Sequence, residues 1–354
     1  MAKALEKAGF EVVHIGSLKV PFHIIYKLVR KIYGLFGVYF DENRQPFVAK
    51  YFAKQIENKL SKGSFDFVLS PGTMPVAYLN TKIPKIIWCD ATFASMVGFY
   101  PGKWSKFAKV TIANANMIEN KAINTSALAL YCSEWAAKSA CDFYGASPDK
   151  VAVIPFGANF EVMPTTEQIE AAISLRSRTK CNLLFIGVEW FRKGGDIVIK
   201  TAEELRRRGV DVGVDIVGCE PIGTIPDYVC KHGFISKSNA EGRKQIEALM
   251  LQSHFLFVPS ISECFGMVYA EASAYGMPSI AHAVGGVTTA VINGENGFAL
   301  PLGSTPFEFA VVIERVFSSE EAYGIAARNA RIDFEQRLNW NASIKKFATR
   351  LADL

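Results

Sequence analysis

One stretch of the chain decides its fold, namely VPSISECFGMVYAEASAYGMPSIAHAVGG at residues 258–286. An apolar run ends at Pro259, a polar turn follows, and Phe265 and Gly266 lead into a helical pattern. Glu263 lies in the turn, whereas Glu271 falls inside the helix. A strand, a turn and a helix in this order form the repeating unit of a parallel sheet covered by helices, so the stretch predicts an α/β fold.

The turn has the chemistry of a diphosphate site. Backbone N–H groups of Cys264, Phe265, Gly266 and Met267 would point outward from a helix N-terminus, where an anion is stabilised. Gly266 would let a phosphate approach the backbone closely, because glycine has no Cβ. A carboxylate can accept hydrogen bonds from two hydroxyls at once, which suits a ribose or a sugar ring. The alternative is an ordinary helix with two solvated glutamates.

This motif resembles the signature of retaining family 4 glycosyltransferases, the glycosyl transferases group 1, which have the two-domain GT-B fold. The resemblance rests on the two glutamates with Phe-Gly between them, followed by E-A-x-A-x-G-x-P and Gly-Gly. It implies an enzyme of the hexosyltransferase type, which takes its sugar from a nucleotide-diphosphate sugar in polysaccharide or glycoconjugate biosynthesis. Glu263 would then hold the hydroxyls of the transferred sugar, and Glu271 the ribose diol.

A second motif, NLLFIGVEWFRKGGDIVIK at residues 182–200, supplies cations after another predicted strand. Arg192 and Lys193 could neutralise the donor diphosphate and the charge that grows as the glycosidic bond breaks. Lys193 also lies in a K-G-x-D pattern that is similar to that of the family. Family members often carry Arg directly after the strand's glycine, where this chain has Val188, so either Arg192 substitutes or one phosphate contact is absent. A solvated basic helix start is the alternative.

Three further residues are candidates for the site. Phe234 and Ile235 end a predicted strand in HGFI, and we expect them beside the base of the donor. Asp90 follows a predicted strand at 85–89, at a position where family members often carry His. It could accept hydrogen bonds from sugar hydroxyls, take a proton late in the reaction, or only cap a turn. The predicted catalytic residues are therefore Glu263, Asp90 and Lys193.

Strand and helix patterns alternate along the whole chain, which predicts two Rossmann-like, doubly wound domains that face a cleft. We expect an acceptor-side domain at 1–160, a linker at 161–180 and a nucleotide-sugar domain at 181–335. A last helix at 336–354 is expected to pack back on the first domain. The predicted strands lie at 10–15, 65–70, 85–89, 128–132, 151–155, 183–186, 212–217, 254–258 and 279–282.

The beginning of the chain departs from this pattern. Residues 1–8 already have a helical pattern, and a predicted strand follows at 10–15. The strand and glycine-rich turn that normally open a Rossmann-like domain are missing. We therefore expect the natural protein to begin upstream of Met1, with that strand and turn.

Composition is typical of a globular protein, with 50% apolar and 21% charged residues. The seven cysteines show no C-x-x-C spacing, which argues for a reducing compartment such as the cytoplasm and against a zinc site. No Asp-x-Asp occurs, so we expect neither a metal ion nor a cofactor besides the donor.

Charge is uneven along the chain. Residues 1–160 carry 19 Lys and Arg against 11 Asp and Glu, and the remainder carries 20 against 23. Within the basic half, VPFHIIYKLVRKIYGLFGVYF at 20–40 is apolar and aromatic with Lys27, Arg30 and Lys31 interspersed. As a helix it could lie on the cytoplasmic face of a membrane and favour a lipid-linked acceptor. Alternatively, it is a core helix whose cations reach the solvent.

Two other functions are compatible with these motifs. A nucleotide-sugar epimerase could use the same architecture, and a catalytically degenerate subunit could bind a nucleotide sugar without turnover. A nucleic-acid partner is not expected, because the basic residues alternate with large apolar ones and no known module is present.

Overall fold

The computed structural model describes residues 1–160 and 162–354, so the first residue of the predicted linker lies outside the described residues. The chain forms two compact units. The N-terminal unit comprises Ala2–Ile154 and Phe347–Leu354, and the C-terminal unit comprises Pro155–Lys346 together with Met1.

The N-terminal unit is built on a parallel sheet. Its strands are β1 Val68–Ser70, β2 Lys85–Cys89, β3 Leu128–Tyr131 and β4 Val151–Val153, hydrogen-bonded in that order. Its helices are α1 Ala2–Lys7, α2 His23–Leu35, α3 Pro46–Leu60, α4 Phe93–Met96, α5 Lys109–Thr125 and α6 Glu134–Tyr144. β2 and β3 are buried along their whole length, as expected of parallel strands covered on both faces. Ser133 caps α6, as its position before the helix predicts, and accepts a hydrogen bond from the Ala136 N–H.

The predicted strand at 10–15 is wrong. These residues are irregular, and the chain around them is held by side chains of α3 instead of a neighbouring strand. Lys59 donates to the Ile15 carbonyl, and the Gln55 side chain bonds both the N–H and the carbonyl of Lys19, at 2.9 and 3.0 Å. Backbone groups satisfied in this way need no strand partner. The strand expected upstream of residue 1 stays a prediction.

Helix α2 confirms the helical pattern in residues 20–40, but the prediction of a core helix is wrong. None of its thirteen residues is buried. Among the described residues, no helix combines the length and the hydropathy needed to cross a membrane.

The C-terminal unit contains a larger parallel sheet. Its strands are β5 Lys180–Ile186, β6 Asp211–Val217, β7 Val229–Gly233, β8 Phe255–Phe257, β9 Ser279–His282 and β10 Gly297–Leu300. Its helices are α7 Thr166–Leu175, α8 Gly195–Arg207, α9 Ala240–Gln252, α10 Met267–Ala274, α11 Val287–Ala290, α12 Pro306–Phe317 and α13 Glu320–Gln336, followed by α14 Trp340–Ala352. The spatial order is β7-β6-β5-β8-β9-β10, which is the Rossmann order, so the predicted fold class is confirmed.

Two segments do not fit a simple division of the chain into two domains and a linker. The segment predicted as a linker contains α7, which begins with a capping box formed by Thr165 and Gln168. Helix α14 begins in the C-terminal unit, where Ser343 donates to the Pro155 carbonyl at 2.6 Å. It ends in the N-terminal unit, where the fully buried Phe347 stacks on Trp88 with ring centroids 5.7 Å apart.

His254, immediately before β8, is almost fully buried and bonded on both sides of its ring. Its Nε2 lies 2.6 Å from the Ser177 carbonyl, and its Nδ1 accepts from the Asn182 N–H at 3.0 Å. Because Nδ1 is an acceptor, the neutral ring fits these partners and the charged ring does not. Burial lowers the pKa of His254 from its ordinary 6.5 to about 4.

We predict that the free energy of unfolding falls as the pH is lowered from about 6.5 to about 4. In that range the unfolded chain binds a proton at His254 and the folded chain does not. The lowered pKa therefore reduces the free energy of unfolding by about 3 kcal/mol once His254 is protonated in both states. Denaturant unfolding of the wild type and of His254→Gln at several pH values checks this. The variant should be less stable at neutral pH and less sensitive to acid. Equal pH slopes would contradict the prediction.

Candidate functional site

The candidate site lies where the strand order of the C-terminal sheet reverses. Strands β5 and β8 are hydrogen-bonded neighbours, yet β6 follows β5 on one side and β9 follows β8 on the other. The loops that leave these two strands therefore diverge at the carboxyl edge of the sheet and open a crevice between them. In open α/β sheets, ligands bind in such a crevice. Both sequence motifs that carry candidate residues follow these two strands.

Glycine allows the two loops to pack directly on each other. Gly194 has a φ of 79°, and a Cβ there would lie 2.3 Å from the Pro259 carbonyl oxygen. The Ile261 N–H donates to the Arg192 carbonyl at 2.9 Å, and the Arg192 guanidinium donates back to the Ser262 carbonyl at 3.0 Å. The loop after β5 and the loop after β8 are thus one hydrogen-bonded assembly.

This assembly brings Glu263 together with both predicted cations. Lys193 donates a hydrogen bond to Glu263 Oε2, and an Arg192 nitrogen lies 3.7 Å from the same oxygen. The three side chains are only 11–13% exposed, so water screens their charges poorly. Arg192 also bonds Glu189 at 2.8 Å, whereas the exposed Val188 offers no charge. The two positive charges hold the carboxylate in one place at the edge of the crevice.

Helix α10 begins next to this cluster. Gly266 precedes it with a φ of 80°, and a Cβ there would lie 2.3 Å from the Tyr269 ring. The Tyr269 hydroxyl donates to the Val258 carbonyl at 2.7 Å, which ties the helix to the end of β8. No side chain caps α10 among the described residues. The Tyr269 N–H donates to the Gly266 carbonyl at 3.0 Å, and the N–H groups before it lie at a helix start, where an anion is stabilised. Cys264 and Phe265 are buried, and Met267 is half-buried.

Glu271 lies inside α10 and is almost fully buried. Burial raises the pKa of its carboxyl, and Lys237 and the Asn159 backbone partly offset this shift. Lys237 lies 2.5 Å from Glu271 Oε2, and its ammonium lies 4.7 Å from the centre of the Phe160 ring. Sequence reasoning missed Lys237 and Phe160. The available signal was that Lys237 comes two positions after the predicted base segment.

Phe234 and Ile235 follow β7 at the carboxyl edge of the same sheet, and lead directly to Lys237. Phe234 is 75% exposed, so its ring is free to contact a ligand, whereas Ile235 is half-buried. Of the predicted site residues in the C-terminal unit, Arg192, Lys193 and Glu263 form one contact group. Glu271 forms a second group with Lys237.

Asp90 belongs to the N-terminal unit. It is exposed and directly follows β2, and the helix after it is capped by Thr92, which accepts from the Ser95 N–H at 3.2 Å. Asp90 is therefore not the cap of that helix. Close to it lies the buried Glu119, which sequence reasoning missed. Burial raises the pKa of Glu119, and the charge of Asp90 raises it further.

The described residues also contain one group of three side chains that could ligate a metal ion, Asp215, Cys230 and His232. His232 Nε2 lies 2.7 Å from Asp215 Oδ1, and the three ligand atoms lie within 4.8 Å of one another. They lie on β6 and β7, and none of them belongs to the groups around Glu263 and Glu271.

Comparison with known proteins agrees with this architecture. Residues 167–333 match the family model "Glycosyl transferases group 1". A D-inositol 3-phosphate glycosyltransferase of Corynebacterium diphtheriae is 27% identical over 231 residues, which are 59% of this chain and 52% of the relative. The chain thus spans about half the length of that curated relative.

Two solved structures resemble most of the chain. A sucrose-phosphate synthase from Thermosynechococcus elongatus has a TM-score of 0.66 at 17% identity, covering 86% of this chain and 78% of the other. The Anabaena protein HepE in complex with UDP-glucose has a TM-score of 0.60 at 18% identity, covering 86% and 82%. At these identities the likeness concerns the fold: two Rossmann-like domains.

We predict that Gly194→Ala lowers the melting temperature at least twice as much as Gly209→Ala. Both glycines have positive φ values, 79° and 86°, so either alanine costs about 1–2 kcal/mol of backbone strain. Only at Gly194 would the new methyl group also clash, with Pro259, whereas nothing lies within 4 Å at Gly209. Calorimetry of the two variants measures the difference. Equal losses would show that the two loops do not pack as described.

Proposed function

We propose, from the match of residues 167–333 to the family model of the glycosyl transferases group 1, that this protein transfers a sugar from a nucleotide-diphosphate sugar to a hydroxyl acceptor. One observation carries the proposal. Two carboxylates lie at the switch point of the sheet, Glu263 in the loop before α10 and Glu271 within α10, and each is paired with a lysine. Hydroxyl groups of a sugar and of a ribose are suitable ligands for such carboxylates.

The donor's diphosphate would lie at the N-terminus of α10. The N–H groups of Cys264, Phe265, Gly266 and Met267 would donate to its oxygens, since an uncapped helix start favours an anion. Arg192 and Lys193 would add two positive charges beside it. The UDP-glucose bound to the Anabaena protein HepE supports a donor of this class.

The nucleoside would occupy the other half of the site. The ribose diol would bind Glu271 and compete there with the Lys237 ammonium, about a third of whose side chain is exposed. The base would contact Phe234 and the backbone at Ile235. Glu263, held by Lys193, would then face the transferred sugar and orient its hydroxyls.

We propose retention of configuration at the sugar carbon. The bond between that carbon and the leaving diphosphate oxygen breaks, and the acceptor oxygen bonds the carbon on the same face. The acceptor proton passes to the leaving diphosphate, so neither glutamate acts as a nucleophile or as an acid, unlike in retaining glycosidases. Arg192 and Lys193 would stabilise the negative charge that develops on the diphosphate. No metal ion or cofactor takes part in this proposal.

The acceptor is proposed to be a hydroxyl compound, either a glycan, a lipid-linked molecule or a small molecule. Asp90, exposed after β2, would bind its hydroxyls or those of the sugar. We further propose a cytoplasmic location, since all seven cysteines are free thiols, four of them buried. The names of the relatives favour transfer over epimerisation.

The first experiment is a panel of UDP-, GDP- and ADP-sugars. The preferred donor should raise the melting temperature, and incubation with hydroxyl acceptors should release the nucleoside diphosphate and form an α- or β-linkage that matches the donor. An inverted product would contradict retention. An epimer formed without acceptor would favour the epimerase, and binding without any turnover would favour a degenerate subunit.

We predict that Glu271→Ala weakens nucleotide binding roughly tenfold or more, whereas Glu263→Ala mainly lowers turnover. Loss of a hydrogen bond to a buried charged group costs about 1.5–3 kcal/mol, and about 1.4 kcal/mol corresponds to a factor of ten. Titration calorimetry with the nucleoside diphosphate and initial rates with the sugar donor separate the two effects.

Glu314→Ala is the matched control for these variants. Glu314 is likewise paired, with Arg208 at 2.7 Å, but this pair involves the C-terminal end of α8 and lies away from the crevice. It should leave both affinity and rate unchanged. If the double variant of Glu263 and Glu271 kept affinity and rate within about twofold of the wild type, the assigned roles would be wrong.

A further inference from the structure

Helix α2 exposes its apolar side chains. Ile24 and Leu35 are more than four-fifths exposed, and the residues between them on the same face are about half exposed or more. We name this surface the apolar patch, and its members are Ile24, Ile25, Leu28, Ile32, Leu35 and Phe36. A monomeric protein rarely presents so many large apolar side chains together without a partner.

The opposite face of α2 attaches the helix to the N-terminal unit. Tyr26 and Tyr33 both stack on the buried Phe40, with ring centroids 6.3 and 5.1 Å apart. Arg30 is half-buried and pairs with the buried Glu42 at 3.4 Å. The helix is thus held through its aromatic and polar face, and its aliphatic face points to solvent. An ordinary surface helix buries the aliphatic face instead.

Charge along the same segment has one sign. Residues 12–40 contain four Lys and Arg and no Asp or Glu. At 100° per residue, Lys27 and Lys31 follow the apolar patch on its flank, and both are exposed. Arg30 was predicted from the sequence to face a membrane as well, but it forms an ion pair with Glu42 instead. Lys27 and Lys31, which form no ion pair with the residues that the structure describes, therefore flank the patch.

Backbone strain adds an independent observation. Phe22, the residue before α2, has a φ of 52° and a ψ of 35°, and among the described residues it alone combines a side chain with a positive φ. A bulky residue in this conformation is strained, and such strain accompanies functional segments. The conformation brings Phe22 against Phe47 of α3, with ring centroids 5.9 Å apart, while both rings remain more than half exposed. The two rings extend the apolar surface beyond the helix.

We propose that the apolar patch, with Phe22 and Phe47, inserts into the interface of an anionic membrane. The aliphatic side chains lie at the level of the acyl chains, and Lys27 and Lys31 bind the lipid phosphates. With thirteen residues, α2 is about 20 Å long, which suits a helix in the membrane plane but not a crossing of about 30 Å. The cationic flank selects an anionic lipid surface over a second copy of this chain, since two such flanks would repel each other.

Vesicle co-sedimentation of the full chain tests the proposal and requires no sugar transfer, so its outcome is separate from that of the proposed activity. The wild type should bind vesicles of phosphatidylcholine mixed with phosphatidylglycerol at least tenfold more tightly than phosphatidylcholine alone, and salt should weaken binding. Leu28→Ser with Ile32→Ser, and separately Lys27→Glu with Lys31→Glu, should each weaken binding to the mixed vesicles at least tenfold.

Two controls match these variants in chemistry but not in place. Lys62→Glu with Lys82→Glu makes the same charge change at exposed lysines elsewhere in the N-terminal unit, and Ile325→Ser with Ile332→Ser removes exposed isoleucines from α13. Both should bind vesicles like the wild type, and circular dichroism should show all variants folded. Absent wild-type binding, or equal losses in variants and controls, would overturn the proposal. A dimer that only Leu28→Ser with Ile32→Ser dissociates, without vesicle binding, would assign the patch to a second copy.

Discussion

The contact between the loop after β5 and the loop after β8 is the constraint on which the candidate site depends. The two strands are neighbours in the sheet but are followed by helices that lead in opposite directions. Gly194 lies against the Pro259 carbonyl, and the Arg192 and Ile261 backbones are hydrogen-bonded. Without this close approach the cations of one loop could not reach the carboxylate of the other. The site is therefore set by backbone packing before any ligand arrives.

The charged side chains of this site already form pairs of opposite charge before a ligand binds. Lys193 neutralises Glu263, and Lys237 neutralises the more deeply buried Glu271. A buried carboxylate without a partner would be costly, so each lysine stabilises the fold as well as the site. A ligand with hydroxyls and a diphosphate offers both members of each pair a new partner: its hydroxyls suit the carboxylates, and its phosphates suit the ammonium groups.

The sequence predicted those strands and helices whose signal lies within one short segment. The strand predicted at 85–89 was confirmed as β2, and the helix predicted after Gly266 begins at Met267. Residues 10–15 have a similar composition but no strand partner, and a single sequence does not show pairing. Lys237 was missed because it reaches Glu271 from 34 positions away. The pattern of α2 predicted an amphipathic helix, but the stacking on Phe40 decides which face is covered.

Helix α14 has a consequence for how the protein is made. Phe347 completes a cluster in the N-terminal unit with Phe10, Phe67 and Trp88, at ring distances of 5.7–5.9 Å. The ribosome synthesises residue 347 only after the whole C-terminal unit. The N-terminal unit therefore cannot finish its core until the C-terminal unit has been synthesised, although domains generally fold in the order of their synthesis. Until then Trp88 and Phe67 lack the ring that covers them, which gives nascent chains a long interval in which a chaperone can bind.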